Sequence, residues 1–322
     1  MKKLKKPVKA LMIFAAALLI LLAAAFLNHR IQLGQEAPLR TPMGQRVEVN
    51  GKRLNVYTEG QGQHTLVFLS GGGTCSPVLD FRSLYSLLSD RYQIAVVEKA
   101  GYGFSEDTDA GRDIAAILAD TRQALLAAGI EPPYVLVPHS MSGLEALYWA
   151  QQYPQEVQAI IGLDMAVPEM YQQYKLSMPM LRLSQFAARC GLTRWLPGIA
   201  ESDAIRFGTL TDHEKDVYRA VFYHRTASNA MLKEAACVKE NALEVERGGV
   251  PQIPMLLFAS DGTGTGWDAE AWRGYQAAFA AQVKECRLVE LDCPHYVHDH
   301  EYGQISEEIA AFCPPDLSFL ER

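Results

Sequence analysis

After its first nine residues, the 322-residue sequence contains no basic stripe and no arginine-rich block. Proteins that bind nucleic acids need such clusters to contact phosphate groups, so their absence argues against a nucleic acid partner. The net charge is only −7, with 30 Lys and Arg residues against 37 Asp and Glu residues. Internal repeats are also absent, and no low-complexity tract occurs outside one N-terminal run. An apolar content of 49% is normal for a globular protein with a sizeable core.

The N-terminus carries a block of like charges followed by a long apolar run. Residues 1–9 contain five lysines, and the 18 residues from 10 to 27 contain no charge. Helical residues rise about 1.5 Å each, so this run extends roughly 27 Å, close to the thickness of a bilayer core. The pattern predicts a basic cytoplasmic segment, a single-pass cell-membrane anchor at 10–27 and an extracytoplasmic remainder. The alternative is a secreted protein whose signal peptide is cleaved near Ala23–Phe26.

Residues 28–43 are polar, contain proline and show no periodicity, which predicts a linker. Beyond them, strand-like apolar segments alternate with helix-like amphipathic segments, as in a mostly parallel sheet with helices on both faces. Asn50–Gly51 lies between two alternating segments and predicts an antiparallel hairpin at one edge. Residues 165–250 contain no clear strand and predict a helical subdomain. The core domain then comprises residues 44–164 and 251–322.

The segment YVLVPHSMSG, residues 134–143, is a strand that ends in small, flexible residues and is followed at once by helix formers. It predicts a sharp strand-to-helix turn with Ser140 at its tip. In such sheets ligands bind at the carboxyl ends of the strands, where this turn lies. A serine on a strained turn is exposed as a nucleophile, and the Met141 amide points to where an oxyanion would form. The alternative is a serine that only caps the following helix.

This turn resembles the nucleophile elbow of the α/β-hydrolase fold superfamily, usually Gly-x-Ser-x-Gly. Pro138 and Ser142 stand where the family has glycine, so the strict pattern fails. FLSGGGTCSP resembles the glycine-rich oxyanion loop of the family, with Ser70 in place of histidine and Gly72 as the implied amide donor. EKAGYGFSE resembles the loop that follows the next strand, with Glu98 in place of aspartate and an implied structural role.

The resemblance implies an eight-stranded, mostly parallel sheet in which residues 165–250 form a helical cap inserted after strand 6. It also implies a histidine base after the last strand. Pro294–His295 stands where the family has Gly-His, which makes His295 the implied base. His298 and His300 are interpreted as a supporting residue and a solvated residue. The alternative for the three histidines is a metal site, but no cysteine or carboxylate spacing typical of zinc accompanies them.

Two residues are candidates for the acid that should orient His295. The family usually places it after the seventh strand, where the count lands on Thr263, with Asp261 two residues early and Asp268 five residues late. Some members, including certain haloalkane dehalogenases, use a carboxylate after the sixth strand, and Asp164 in GLDMAVP stands there. Asp164 is therefore the preferred acid, and Asp261 is the alternative.

These residues imply acyl transfer to water by a serine hydrolase of esterase-like, lipase-like or peptidase-like type. Ser140 would attack a carbonyl, the Gly72 and Met141 amides would hold the oxyanion, and His295 would move the proton. Dehalogenase chemistry would need an aspartate at the serine position, and no cofactor is expected. One alternative is a non-catalytic binding protein on the same scaffold. Another is a lipid-surface protein whose anchor is its main functional part.

The expected substrate is a small, partly apolar acyl compound, because the cap contains many apolar side chains of the kind that line ligand pockets. Most of them are expected to pack the interior of the cap itself. They are Met165, Met170, Tyr171, Tyr174, Met178, Met180, Trp195, Phe207, Tyr218 and Phe222. An aminopeptidase resembling the proline iminopeptidases would also need cap carboxylates to bind an ammonium group. Glu169, Glu201 and Asp203 are available, but nothing in the sequence singles them out.

The six cysteines permit either disulfides or buried free thiols. An even number in an oxidising compartment is compatible with disulfides, and six cysteines allow 15 pairings. The implied topology suggests pairs within the cap, along the last strand and helix, and between loops beside the site. These pairs are Cys190 with Cys237, Cys286 with Cys313, and Cys75 with Cys293.

Overall fold

The N-terminal apolar run is helical and stands largely apart from the rest of the molecule. The computed structural model describes residues 6–314, so most of the basic segment 1–9 and the last residues of the predicted core lie outside the described part. Helix α1 covers Lys6–Gln35. Within residues 6–314 it is the one helix long and apolar enough to cross a membrane, and only 6% of its most apolar window is buried.

The prediction of an irregular linker at 28–43 is wrong over most of that range. Helix α1 continues to its end at residue 35, and a short 3-10 helix follows at Ala37–Arg40. Ala25 and His29 are both buried against the remainder of the chain. Tertiary packing of this kind stabilises a helix whose sequence shows no clear periodicity.

Eight strands form one sheet, in the order β1-β2-β4-β3-β5-β6-β7-β8. The strand ranges are β1 Gln45–Val49, β2 Lys52–Glu59, β3 Thr65–Leu69, β4 Gln93–Glu98, β5 Tyr134–Pro138, β6 Val157–Leu163, β7 Met255–Ala259 and β8 Cys286–Glu290. Strand β2 is antiparallel to both β1 and β4, and all other pairs are parallel. The predicted hairpin is confirmed: Asn50 and Gly51 have φ values of 51° and 74°, as a tight hairpin turn requires.

Helices cover both faces of the sheet, which is why β3, β5 and β7 are buried along their whole length. The further helices are α2 Pro77–Asp80, α3 Arg82–Tyr85, α4 Ile114–Ala127, α5 Ser142–Gln152, α6 Met178–Arg189, α7 Asp203–Arg206, α8 Asp212–Arg225, α9 Asn229–Arg247, α10 Ala269–Ala280, α11 Val297–His300 and α12 Tyr302–Phe312. Helices α4, α5 and α10 pack on one face, and α2, α3 and α12 pack on the other. The alternation predicted from the sequence is therefore present.

The chain between β6 and β7 forms a helical insertion over the carboxyl end of the sheet. Helices α6 to α9 belong to it, and the described structure has no strand between residues 165 and 250. Its inner side packs on the core through a small apolar cluster in which Ile205, Val217 and Val221 meet Leu79 and Phe104. We refer to residues 165–250 as the cap.

The predicted disulfide pairs are wrong, because all six cysteines are free. Cys75, Cys293 and Cys313 are buried, and the other three are half-buried. Burial raises the pKa of the Cys75 thiol to about 12, as expected for a thiol surrounded by apolar groups. The cysteines therefore behave as small apolar side chains with free thiols, which was the alternative interpretation of the sequence.

Candidate active site

Three polar side chains meet at the carboxyl end of the sheet. Ser140 lies two residues after β5, Asp164 directly follows β6, and His295 follows β8 after a short loop. The φ angles of Ser140 and Asp164 are 54° and 48°, in the left-handed region that residues with side chains rarely adopt. The two turns are joined by a hydrogen bond, because the Ala166 amide donates to the Ser140 carbonyl at 2.8 Å. A Cβ atom at Gly143 would lie only 2.3 Å from the Ala166 carbonyl oxygen, so this close approach requires glycine.

These side chains form one hydrogen-bonded series, which we call the Ser140 chain. His295 Nε2 lies 2.8 Å from Ser140 Oγ, and His295 Nδ1 lies 2.5 Å from Asp164 Oδ2. With the proton on Nδ1, Nε2 can accept the hydrogen bond of the serine hydroxyl. Asp164 and His295 are buried, whereas Ser140 is half-buried. The arrangement gives hydroxyl, imidazole and carboxylate the order required for nucleophile, base and orienting acid.

Asp164 accepts three hydrogen bonds besides the one from His295. The Ser260 amide and hydroxyl donate to its two oxygens, each at 2.7 Å, and Trp272 Nε1 donates to Oδ1 at 2.7 Å. The sequence interpretation missed both residues. Ser260 directly follows β7, so the rule that polar groups gather at strand ends would have found it. Trp272 lies on α10, where nothing in the local sequence indicates its partner.

The alternative acids lie elsewhere. Asp261 Oδ1 accepts a hydrogen bond from the Thr263 amide at 2.8 Å within its own loop. Asp268 caps α10 by accepting from the Ala271 amide at 2.8 Å. In the described structure neither carboxylate bonds to His295. The geometry therefore favours Asp164 of the two candidates that the sequence left open.

The neighbouring histidines are electrically neutral at ordinary pH. Burial lowers the pKa of His298 to about 3 and places the pKa of His139 well below its usual value. His139 Nε2 lies 3.1 Å from the His295 carbonyl oxygen, and the His139 and His298 rings are 4.7 Å apart. The prediction that His300 is solvated is wrong. Its Nε2 lies 3.2 Å from Asp203 Oδ2, and its ring packs 4.4 Å from that of Phe207.

The two predicted amide donors stand beside the serine. Gly72 and Met141 line the same cavity as Ser140. Among residues 6–314 neither amide donates to a protein acceptor, so both can bind a substrate oxygen. A Cβ atom at Gly71 would lie 2.8 Å from Ser140 Cβ. The glycine-rich loop is therefore needed for its close approach to the serine.

The two departures from the glycine pattern have local explanations. Pro138 is the last residue of β5; it pairs in register with Leu69 of β3 but lies beyond the residues of β5 that pair with β6, so it lies where the ladder ends. The Ser142 hydroxyl donates to the Leu69 carbonyl at 2.6 Å and accepts from the His139 amide at 3.0 Å. A glycine could make neither bond. Ser142 therefore ties the turn to the neighbouring strand end.

A buried group of charges connects the cap with the glycine-rich loop. Lys99 Nζ lies 2.6 Å from Glu145 on α5 and 2.5 Å from Glu234 on α9. Burial alone would lower the pKa of Lys99, but the two carboxylates raise it above its usual value. The Tyr102 hydroxyl donates to Glu234 at 3.1 Å and accepts from the Gly73 amide at 3.3 Å. The group thus fixes the cap, the helix after Ser140 and the loop relative to each other.

Two adjoining cavities surround the Ser140 chain. The first has a volume of about 490 Å³ and is bordered by Ser140, His295 and apolar side chains of the cap. The second has a volume of about 480 Å³ and is bordered by the polar side chains of Asp203 and His300 as well as by aromatic rings. His295 and Tyr296 border both cavities. A substrate could therefore occupy two compartments that meet at the imidazole.

The cap residues proposed as pocket-lining candidates divide into three groups. Met170, Tyr171 and Tyr174 line the first cavity, and Phe207, Tyr218 and Phe222 line the second. The remaining four, Met165, Met178, Met180 and Trp195, line neither. The sequence interpretation missed five larger apolar cap residues that line the first cavity: Leu176, Leu181, Met231, Leu232 and Val238. Of the three carboxylates considered for binding an ammonium group, Asp203 borders the second cavity, while Glu201 pairs with Arg219 and Glu169 is exposed.

Fold and site together define a member of a hydrolase family, and comparison with known proteins agrees. The sequence profile of the alpha/beta hydrolase fold family matches residues 64–283, and the chain belongs to this family. An uncharacterized protein of Bacillus subtilis strain 168, YbdG, is 38% identical over 313 residues, which cover 95% of this chain and 96% of that protein. This relative is therefore similar along nearly its whole length.

Relatives of known activity are more distant. The 2-(acetamidomethylene)succinate hydrolase of Mesorhizobium japonicum is 29% identical over 122 residues, which cover 38% of this chain and 42% of that protein. The crystal structure of epoxide hydrolase A from Mycobacterium thermoresistibile superposes with a TM-score of 0.64 at 21% identity, over 85% of this chain and 98% of that one. These comparisons show the fold and a family that includes hydrolases.

Proposed function

We propose that this protein is a serine hydrolase that cleaves an ester, amide or similar acyl bond through an acyl-enzyme intermediate. The observation that carries the proposal is the 2.8 Å approach of His295 Nε2 to Ser140 Oγ, with Asp164 on the other ring nitrogen at 2.5 Å. A serine that only capped a helix would not need an imidazole on its hydroxyl. In addition, α5 begins after Met141, and the Ser140 side chain does not cap it.

The reaction follows from the roles that the geometry allows. Ser140 Oγ attacks the substrate carbonyl while His295 Nε2 takes its proton, and the Gly72 and Met141 amides bind the oxyanion. The imidazolium then protonates the leaving group, and the acyl group stays on Ser140 until water attacks it with His295 again as base. Asp164 keeps the proton on Nδ1 and stabilises the imidazolium. His139 and His298 remain neutral, so they add no positive charge that would oppose it.

The first cavity favours an uncharged acyl group. In the described structure no Lys, Arg, Asp or Glu side chain lines it, and its walls include Leu181, Met231 and Val238. A charged acyl chain would lose its hydration there without gaining an ion pair. We therefore propose a small, partly apolar acyl substrate.

We further propose that α1 anchors the protein in the cell membrane, with the N-terminus cytoplasmic and the catalytic domain extracytoplasmic. The uncharged run 10–27, the lysines before it and the exposure of its side chains support this proposal. Cleavage as a signal peptide near Ala23–Phe26 would cut α1 at the point where Ala25 packs against Gly191 of the cap. Release of the full-length protein from membranes by alkaline carbonate would contradict the anchor.

The direct test of the enzyme is covalent labelling by a fluorophosphonate, which reacts with activated serines. The wild-type protein in detergent should be labelled, and Ser140→Ala should not. Ser142→Ala is the matched control: its hydroxyl is two residues away but bonds only to main-chain groups, so labelling should persist if the variant folds. A folded wild-type protein that stays unlabelled would remove the hydrolase proposal and favour a non-catalytic binding protein.

A further inference from the structure

A group of large apolar side chains is exposed on one side of the cap. Leu183, Phe186 and Met180 project from α6, and Trp195, Leu196 and Ile199 follow in the next segment. Trp195 is 47% exposed and Leu183 is 59% exposed. Monomeric soluble proteins rarely expose so many large apolar side chains together unless the surface binds a partner. We call these six residues the cap face.

The cap face is fixed beside the end of the apolar helix. Arg194, which directly precedes Trp195, forms two hydrogen bonds of 2.7 Å with the Glu36 carboxylate just after α1. Arg194 Nε also donates to His29 Nδ1 at 2.9 Å, and its guanidinium lies 4.1 Å from the Tyr223 ring centre. A half-buried, bidentate pair of this kind holds a defined geometry. The cap therefore cannot rotate freely about α1.

The cap contacts α1 near the end of its uncharged run, and this position indicates where the cap lies relative to a bilayer. Ala25 is buried by the cap, although it lies inside the uncharged run 10–27. A Cβ atom at Gly191 would lie 2.4 Å from His29 Cβ, so cap and helix touch without a gap. At about 1.5 Å per residue, Ala25 is only about 3 Å from the end of the run. If α1 spans a bilayer, the adjoining cap surface lies at the bilayer interface.

The charged residues of the cap segment 170–200 also fit a position at the bilayer interface. Residues 170–200 contain Lys175, Arg182 and Arg189, besides the paired Arg194, but no Asp or Glu, within a chain whose net charge is −7. Helix α6 carries Arg182 and Arg189 as well as the exposed Leu183 and Phe186, and amphipathic helices with basic residues and exposed apolar side chains are typical of segments that lie on lipid surfaces. Tryptophan is also enriched at the membrane interface.

Helix α6 separates its own exposed side chains from the first cavity, and Ile199 of the cap face borders the second cavity. Leu181 points into the first cavity, whereas Leu183 and Phe186 on the same helix are exposed on the outside. Leu176, just before α6, also lines the cavity. A wall one helix thick therefore stands between the outer apolar surface and Ser140.

We propose that the cap face lies on the surface of the lipid bilayer that α1 spans, and that the substrate of Ser140 is an acyl compound dissolved in that bilayer. This inference rests on the proposed anchor and hydrolase function. It goes beyond them by assigning the cap a lipid contact and by restricting the substrate to apolar compounds that partition into membranes. In this arrangement the substrate passes α6 to reach the cavity without crossing bulk water.

The contact can be tested without any activity. The full-length protein is placed in nanodiscs of phosphatidylcholine and phosphatidylglycerol, and protein outside the discs is removed by gel filtration. The emission of Trp195, obtained as the difference between wild type and Trp195→Phe, is compared in discs with and without acyl chains brominated near the headgroup. We expect bromine to quench Trp195 at least about twofold, since an interfacial indole contacts the upper acyl chain.

The matched control is a tryptophan of similar exposure at the opposite end of the sheet. Leu126 is 50% exposed near the end of α4, beside the amino end of β5 and so away from the cap. Leu126→Trp in the Trp195→Phe background should not be quenched. Quenching of Trp195 no stronger than that of the Leu126→Trp variant would overturn the proposed contact.

The substrate class is tested separately by kinetics in the same discs. Replacing both Leu183 and Phe186 by Gln should lower hydrolysis of a long-chain p-nitrophenyl ester dissolved in the disc by about tenfold, since apolar contacts with lipid are lost. Hydrolysis of water-soluble p-nitrophenyl acetate should not change, and Leu243→Gln on the exposed side of α9 should affect neither substrate. Equal effects on both esters would overturn the bilayer route. If the wild type cleaves neither ester, the hydrolase proposal fails while the quenching result still decides the lipid contact.

Discussion

Two buried polar groups lie close together at the carboxyl end of the sheet, and they differ in how their polar atoms are bonded. In the Ser140 chain, both oxygens of Asp164 accept hydrogen bonds, and both nitrogens of His295 have partners. The second group consists of Asp80, His298 and Asp299, which we call the Asp80 group. Within residues 6–314, one oxygen of Asp80 and all the polar side-chain atoms of His298 and Asp299 lack a hydrogen-bond partner.

The lack of hydrogen-bond partners in the Asp80 group is accompanied by raised pKa values of its carboxyl groups. Burial raises the pKa of Asp80 to about 8, and burial with the nearby Asp80 carboxyl raises that of Asp299 well above its usual range. His298 has a pKa of about 3, so the whole group is uncharged near neutral pH. A buried carboxylate can remain charged only where donors surround it. The fold provides such donors to Asp164, beside the proposed base, and leaves most polar atoms of the Asp80 group without them.

Replacing the Asp164 side chain should have the largest effect on turnover. In Asp164→Asn the amide can donate to His295 Nδ1, which then holds the ring in the tautomer with the proton on Nε2. That tautomer cannot accept the serine proton, so we expect turnover to fall roughly 10³-fold or more. The measurement is kcat for an ester substrate, with circular dichroism to confirm the fold.

Asp261→Asn is the control for this comparison. Asp261 bonds only within its own loop, to the Thr263 amide, so turnover should stay within about threefold of the wild type. A larger loss in Asp261→Asn than in Asp164→Asn would transfer the role of the acid to Asp261. A near-normal rate in both variants would show that His295 needs no acid.

The Asp80 group should show its neutrality in the pH dependence of stability. The folded-state pKa of Asp80 lies above its ordinary value, so between about pH 4 and about pH 8 the folded protein binds more protons than the unfolded chain. Stability should therefore fall as the pH rises through this range, by up to about 1.4 kcal/mol per pH unit for one proton. Asp80→Asn keeps an acceptor for the Tyr218 hydroxyl and removes the titrating proton. The free energy of unfolding of Asp80→Asn, relative to that of the wild type, should therefore increase as the pH rises.

Urea denaturation at pH 5, 6, 7 and 8 would measure this gain. Asp299 still titrates in the variant, and so does Glu98, whose pKa is raised to about 7 by burial, so the slope should decrease without disappearing. Asp109→Asn, which changes an exposed carboxyl, is the control and should follow the wild type. Equal slopes for Asp80→Asn and wild type would mean that Asp80 is charged in the folded protein.

The sequence predicted the parts of the molecule that depend on local pattern. Alternating strand and helix segments predicted the sheet, and the strand–turn–helix pattern around Ser140 predicted the elbow. Asp164 and His295 were implied by the resemblance to the family, and the rule that parallel strands end at the same edge agreed with both positions. Each of these inferences needs only the chain near one residue, together with a family pattern and a rule about sheets.

The sequence did not predict features that depend on distant contacts. The helix through 28–35 is stabilised by Arg194, which lies more than 150 residues away. Trp272 reaches Asp164 from a helix on the outer face of the sheet, and the bond depends on the packing of α10. The disulfide predictions failed for the same reason, since pairing depends on distances that spacing along the chain does not define.

Loss of a single hydrogen-bond donor to Asp164 should lower kcat less than replacement of Asp164 itself. Trp272→Phe removes one donor from Asp164 Oδ1 and leaves the Ser260 bonds and His295 in place. A hydrogen bond to a charged group contributes about 1.5–3 kcal/mol, and loss of part of this orientation should lower kcat by about tenfold. Trp267→Phe is the control, because Trp267 lines the same cavity but packs on Tyr275 and does not bond to the acid. If Trp272→Phe changes only KM, the indole shapes the cavity and the remaining donors suffice to hold Asp164. A fall in kcat confined to Trp272→Phe would instead show that the complete set of donors around Asp164, the feature that distinguishes it from Asp80, supports catalysis.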